Sequence, residues 1–173
     1  MRRLGWAGAA LAGLLVLMST GGVAASDGQG QALEASSVWQ RLGAWRIVGT
    51  WSLQITMANC QTGDEIPGAT FPGLNTFLAE GSMLSDPASN AALLRTGHGV
   101  WAYAGDRRFT NVILLFRFNP DGTYAGTQTV SRNIIVSQDS DEFIARDTVT
   151  FADPAGNVVD TRCGVGRGRR MVL

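Results

Sequence analysis

The feature that most constrains this chain is an alternation of apolar and polar residues that begins at Gly49 and continues, with interruptions, almost to the C-terminus. A period of two places successive side chains on opposite faces of a β-strand. Stretches rich in glycine, proline and aspartate interrupt the alternation as turns, at residues 79–81, 105–106, 120–122, 139–140 and 154–156. The pattern predicts eight strands, near residues 48–58, 73–78, 82–86, 97–104, 107–118, 123–138, 141–152 and 158–167.

Turn geometry predicts how the later strands pair, because the length of a hairpin loop fixes which residues face each other. The predicted inward-facing pairs are Phe118 with Tyr124, Phe116 with Gly126, Val112 with Val130, Val136 with Phe143, Arg132 with Asp147, Phe151 with Val159 and Ala145 with Val165. This face is apolar except for one charged pair. The opposite face carries polar side chains such as Thr129, Asp160 and Arg162, as expected for a solvated surface.

Consecutive hairpins with one apolar face must cover that face, either by closing into a ring or by pairing two sheets. Closure predicts an all-β fold, an eight-stranded antiparallel up-and-down barrel, with a two-sheet sandwich as the alternative. Cys60 follows the first strand and Cys163 lies on the last, so closure would make them neighbours. We expect a disulfide between them, with two buried thiols as the alternative.

The N-terminus has the pattern of a secretory leader. Arg2 and Arg3 precede an apolar stretch from Leu4 to Met18, and small residues end at Ala25. We expect a signal peptide over residues 1–25, a linker with a short helix over 26–46, and the barrel domain over 47–173. The protein is therefore expected to be secreted or periplasmic, a choice that the sequence leaves open.

The charge balance gives no support for nucleic-acid binding. All 14 basic residues are arginine, and without Arg2 and Arg3 the remaining 12 face 14 acidic residues. The two cysteines and the lone His98 are too few for a zinc site. No phosphate loop or hydrolase motif is present, so we assign no catalytic residue, no metal and no cofactor.

Arg132 and Asp147 are the most informative pair, because the predicted register places them opposite each other on the apolar face. They either fix the register as a structural ion pair or orient the polar end of a ligand. A catalytic role is disfavoured, since an arginine is expected to lower the pKa of its carboxylate partner. The predicted ligand-binding residues are Arg132, Asp147, Gln128, Tyr124, Trp101, Tyr103 and Phe116.

Residues 112–116 are apolar on both faces, and we expect Ile113 and Leu115 to point outward. Something must cover such a patch. The candidates are residues 38–45, which have a roughly helical spacing of apolar side chains, and a second copy of the chain.

Gly49-Thr50-Trp51 resembles the Gly-x-Trp signature that opens the first strand of lipocalin-like, calycin-type barrels. In that family the tryptophan plugs the closed end and an arginine from the last strand packs over it, which implies that role for Arg167 or Arg169. The same motif, together with Cys60, Cys163 and residues 97–101 and 153–157, is similar to short secreted bacterial proteins of unassigned function.

These observations predict an exported barrel that binds a small apolar or amphipathic molecule. The first alternative is a protein-binding module, such as an enzyme inhibitor or envelope partner, that acts through its longest end loops at residues 59–72 and 86–97. The second is an isomerase of the allene oxide cyclase type, which also uses a small barrel with a shaped apolar pocket.

Overall fold

A computed structural model describes residues 42–88 and 92–173. Eight antiparallel strands follow one another around a closed barrel, each paired with the next, and the last with the first. The strands are β1 (Gly49–Ala58), β2 (Glu65–Phe77), β3 (Ser82–Pro87), β4 (Gly97–Gly105), β5 (Arg108–Phe118), β6 (Tyr124–Val136), β7 (Glu142–Ala152) and β8 (Val158–Arg170). The predicted up-and-down barrel is confirmed.

Pairing of β1 with β8 closes the barrel, with Trp51 opposite Arg170 at one end and Ala58 opposite Cys163 at the other. The predicted disulfide joins Cys60 to Cys163 across this seam, with Cα atoms 5.1 Å apart. A disulfide of this kind indicates an oxidising compartment.

The N-terminal predictions fall largely outside the described residues. The structure does not describe residues 1–41, which include the predicted leader at residues 1–25 and most of the linker. Val38 of the predicted helix lies in the same part of the chain. Residues 42–44 form one helical turn before β1. No helix in the described parts of the chain has the length and apolar character that a membrane crossing requires.

The register of β6 against β7 is the one the turn at Asp139-Ser140 predicts. Val136 lies opposite Phe143, and Arg132 lies opposite Asp147. Ser140 has a positive φ of 67°, which a tight hairpin turn requires. The inward face of these two strands was therefore predicted correctly.

The prediction for β5 was wrong by one residue, because a β-bulge at Ala125 lies just inside the predicted turn. Phe118 pairs with Tyr124 as expected, but Arg117 then pairs with Gly126. A bulge of one residue exchanges the two faces of the partner strand. Gly126 has a φ of 108°, and the Ala152 carbonyl leaves no space there for a Cβ.

This exchange reverses the predicted faces of β5. The residues that point inward and are buried are Phe109, Asn111, Ile113 and Leu115. Those that point outward and are exposed are Val112, Leu114 and Phe116, and Tyr124 beside them is exposed as well. The apolar outer patch predicted over residues 112–116 exists, but Val112, Leu114 and Phe116 form it instead of Ile113 and Leu115.

A second bulge, at Val159, has the same effect on β8. Ala152 pairs with Val158, and Phe151 pairs with Asp160 instead of the predicted Val159. Ala145 consequently faces Gly166 rather than Val165. The inward positions of β8 are therefore Asp160, Arg162, Gly164, Gly166, Gly168 and Arg170, so the expectation that Asp160 and Arg162 lie on the outer face was wrong.

One end of the barrel, which we call the closed end, is plugged by Trp51. The Trp51 ring is fully buried against Phe143, and its Nε1 donates to the Ile47 carbonyl. The Arg170 guanidinium lies 4.3 Å from the centre of that ring and donates to the carbonyls of Val48, Arg46 and Ser140. The expectation of Arg167 or Arg169 in this role was wrong, because the bulge in β8 turns both outward.

Two adjacent leucines test the register of β5. Leu115→Ala should lower the free energy of unfolding by about 2–5 kcal/mol, because it empties a fully buried position. Leu114→Ala removes the same atoms from the outer wall and should cost about 1 kcal/mol or less. Urea denaturation measures both, and the reverse ranking would show that the bulge at Ala125 is absent.

Candidate functional site

The middle of the barrel interior contains a cluster of buried polar side chains, which we call the polar belt. It consists of Asn75 on β2, Ser85 on β3, Asn111 on β5, Arg132 on β6 and Asp147 on β7. Each of the five side chains lies among apolar neighbours, with 6% or less of its surface exposed. Buried polar groups are costly unless they are hydrogen-bonded, so their partners decide what the belt does.

A chain of hydrogen bonds crosses the interior from one wall to the other. The Arg132 Nε donates to Asp147 Oδ2 over 2.9 Å. With the Asn75 amide in the orientation that satisfies its neighbours, Arg132 Nη1 donates to the Asn75 amide oxygen over 2.5 Å. The Asn75 amide nitrogen then donates to Ser85 Oγ over 2.9 Å. The belt thus connects β6 and β7 to β2 and β3.

Three buried polar atoms of the belt have no hydrogen-bond partner among the described residues. They are both amide atoms of Asn111 and Oδ1 of Asp147. An unsatisfied buried polar group costs about 1–3 kcal/mol. The belt is therefore incomplete as a purely internal network, and Oδ1 of Asp147 can accept a hydrogen bond from a further molecule.

Burial raises the pKa of Asp147 above its ordinary value of 3.8, although the charge of Arg132 and its hydrogen bond act in the opposite direction. Removing the carboxylate from water disfavours its charged form more than the single arginine favours it. Arg132 does lower this pKa, as expected, but the desolvation that the expectation omitted raises it by more, so the net direction was predicted wrongly.

A small cavity of about 40 Å³ adjoins the belt on the side away from Trp51. We call that end of the barrel the distal end; there β1, β3, β5 and β7 finish and β2, β4, β6 and β8 begin. Arg132, Asp147 and Ser85 contribute polar lining. The apolar lining includes Ile55, Leu115, Val130, Val149 and Gly164. Such a volume holds a few non-hydrogen atoms rather than a whole drug-sized molecule.

The structure brings only part of the predicted ligand-binding set together. Arg132, Asp147 and Gln128 line the cavity. Trp101 and Tyr103 point inward near the closed end, where the Trp101 indole donates to the carbonyls of Leu78 and Ser82 and the Tyr103 hydroxyl to that of Asp106. Phe116 and Tyr124 lie in ring contact on the outer wall.

Sequence reasoning missed Asn75, Ser85 and Asn111 of the belt. Asn75 sits between Gly73 and Phe77 at a period of two, so the alternation of β2 placed it on the inner face. Asn111 could not have been found in this way, because the unrecognised bulge had assigned it to the outer face.

Two wider depressions, of about 600 and 540 Å³, lie on the outer wall and share Ile135 and Ile144 in their lining. A third, of about 660 Å³, is lined by Tyr103 together with Arg46 and Arg107. None of the three includes a residue of the polar belt. Within residues 42–88 and 92–173, no three side chains of the metal-binding types come together. The belt and its cavity are therefore the strongest candidate site.

No protein-family model, curated protein sequence or solved structure matches this chain. The geometry of the site is therefore what indicates a function.

The pH dependence of stability tests the pKa of Asp147. A raised pKa means that the folded protein holds this proton more tightly than the unfolded chain, so the contribution of Asp147 to the free energy of unfolding falls as the pH rises above 3.8. The Asp147→Asn variant lacks this titration. Urea denaturation across pH 3–7 should show wild type losing stability relative to the variant, by about 1.4 kcal/mol per unit of pKa shift.

The other shifted carboxyls provide the internal control. Hydrogen bonds from neighbouring side chains hold the pKa values of Glu65, Asp121, Asp139 and Asp153 below their ordinary values, which makes stability rise with pH. These groups are present in both proteins and cancel in the difference. If wild type instead gained stability relative to Asp147→Asn as the pH rises, the pKa of Asp147 would be lowered in the folded protein.

Proposed function

We propose that this protein is an exported barrel that binds a small amphipathic molecule through its distal end. The observation that carries the proposal is Oδ1 of Asp147, a buried acceptor without a partner among the described residues, on a side chain that lines the interior cavity. The Cys60–Cys163 disulfide supports export to the periplasm or the medium.

The polar belt recognises a hydrogen-bond donor on the ligand. A hydroxyl or N–H group in the cavity can donate to Oδ1 of Asp147, which removes the cost of leaving that oxygen unsatisfied. Arg132 holds Asp147 in place through the bond to Oδ2, and Asn75 holds Arg132 from the opposite wall. The belt is thus pre-organised, which lowers the entropy cost of binding.

The apolar lining accepts the part of the ligand that follows this donor. Ile55, Leu115 and Val149 provide aliphatic contacts along the path to the distal end. Met57 and Gln128 also line the cavity. Both have long, unbranched side chains, which can adopt other rotamers and widen the passage at low cost.

The closed end supports a lipocalin-like type of barrel. Trp51 follows the Gly49-Thr50 pair, plugs one end, and lies under Arg170 from the last strand. With that end filled, a ligand has access only from the distal end, which agrees with the position of the cavity.

Titration with 1-octanol tests the proposal, because this narrow molecule has one hydroxyl donor and an apolar chain. Wild type should bind it with a measurable heat in isothermal titration calorimetry. Val149→Phe fills the cavity and should raise the Kd about tenfold or more, since overfilling costs about 1–3 kcal/mol. Val112→Phe makes the same change on the outer wall and should leave the Kd unchanged.

Two further variants keep this test decisive. Val149→Ile adds a single methyl group and serves if the phenylalanine variant does not fold. Replacing the charged pair together, as Arg132→Met with Asp147→Leu, should preserve folding, because no unpaired charge remains, and should weaken octanol binding. Unchanged binding in the double variant would assign the pair a purely structural role, and no binding by wild type would refute the proposal.

An exposed apolar patch on the outer wall supports protein binding as a second candidate function. Leu84, Val100, Val112, Leu114 and Phe116 form an exposed apolar patch across β3, β4 and β5. Exposed apolar patches on small proteins commonly mark interaction surfaces. Sedimentation velocity tests self-association: wild type should sediment as a dimer that Leu114→Arg converts to a monomer, whereas a monomeric wild type would argue against a second copy as the partner.

A further inference from the structure

Three residues at inward-facing positions lie at the distal end, beyond the cavity, and we call them the rim. Arg117 on β5 and Arg162 on β8 both approach Phe151 on β7. Their guanidinium carbons lie 5.0 and 4.9 Å from the centre of the phenyl ring. Both guanidinium groups are thus within cation–π distance of the same ring.

The rim has an excess of positive charge. Arg162 forms an ion pair with Asp160, with Nε and Oδ2 2.7 Å apart, on a surface where such pairs are weak. Arg117 has no salt bridge within the part of the chain that the structure describes. The nearby Asp121 and Asp153 are engaged in hydrogen bonds within their own turns. Among the described residues, one guanidinium of the rim therefore lacks an anionic partner.

The rim and the polar belt lie in line along one wall of the barrel. Asp147 and Phe151 are both inward residues of β7 and are four residues apart. At about 3.3 Å per residue, their Cα atoms are roughly 13 Å apart. The cavity residue Val149 lies between them. A ligand that reaches from the belt to the rim would thus pass polar, apolar and then cationic groups in that order.

We propose that the ligand is an anionic amphiphile with two polar ends. Its inner end donates a hydrogen bond to Asp147, its apolar middle lies along Val149, and a carboxylate at its outer end binds Arg117 and Arg162. This inference rests on the proposed function, and it adds that the ligand is negatively charged and has a polar group at each end. Planar carboxylates suit guanidinium donors, which offer two parallel N–H groups.

An ω-hydroxydecanoate and its methyl ester form a matched pair of probes, because only the acid carries a charge at its outer end. Calorimetry with the full exported protein should show the ester binding about fivefold more weakly than the acid. In Arg117→Gln the preference for the acid should shrink, and in the double variant Arg117→Gln with Arg162→Gln the two probes should bind equally, at the level of the ester. Raising the salt concentration should narrow the difference in wild type, because the rim is exposed.

Arg169→Gln is the matched control, because Arg169 is exposed on the outer wall, and it should keep the preference for the acid. Arg162→Gln gives a second test of the rim if Arg117→Gln does not fold. Equal binding of acid and ester by wild type, with both abolished by Val149→Phe, would overturn the anionic assignment and leave the proposed function intact. No binding of either probe would overturn both.

Discussion

Closure of the sheet on itself is the constraint on which the other features of this protein depend. Pairing of β1 with β8 removes the two strand edges that an open sheet would expose. The same pairing places Arg170 over Trp51 at one end and brings Cys60 to Cys163 at the other. Without closure the inward residues would have no common interior, and the ion pair of Arg132 with Asp147 would be exposed to solvent, as the pairs of Arg162 with Asp160 and Arg167 with Glu65 are.

An eight-stranded barrel has an interior just wide enough for its side chains, and this protein divides that space into zones. Aromatic rings fill the closed end around Trp51, the polar belt crosses the middle, and a small cavity follows toward the distal end. Apolar side chains of similar volume would avoid the desolvation of two charges and three unsatisfied atoms. Stability alone therefore gives no reason for the belt, which leaves the register of β6 against β7 or the recognition of a polar group that we propose.

Prediction from the sequence succeeded where the turn alone sets the register and failed where a bulge intervenes. The turn at Asp139-Ser140 placed Arg132 opposite Asp147, and half of the site followed from that pairing. The bulges at Ala125 and Val159 each shifted one strand by a residue, which hid Asn111 and placed Arg162 at an inward position. In β5, where Val112 to Phe116 are all apolar, the pattern fits either face, so it could not reveal the error. The glycine at position 126 was the one local signal for a bulge.

The sequence by itself determined the all-β class, the number of strands and their succession as hairpins, because alternation and turn chemistry are local properties of each segment. The tertiary structure decided that the sheet closes on itself instead of forming a two-sheet sandwich, and that Cys60 and Cys163 form a disulfide. It also decided which residues the barrel encloses beyond β6 and β7, which arginine covers Trp51, and how Asn75 and Ser85 meet Arg132 from the opposite wall. These depend on contacts between segments far apart in the chain, and on backbone irregularities that are favoured only when a neighbouring strand is in place. The direction of the shift in the pKa of Asp147 belongs to the same class, since it follows from how completely the closed barrel removes the carboxylate from water.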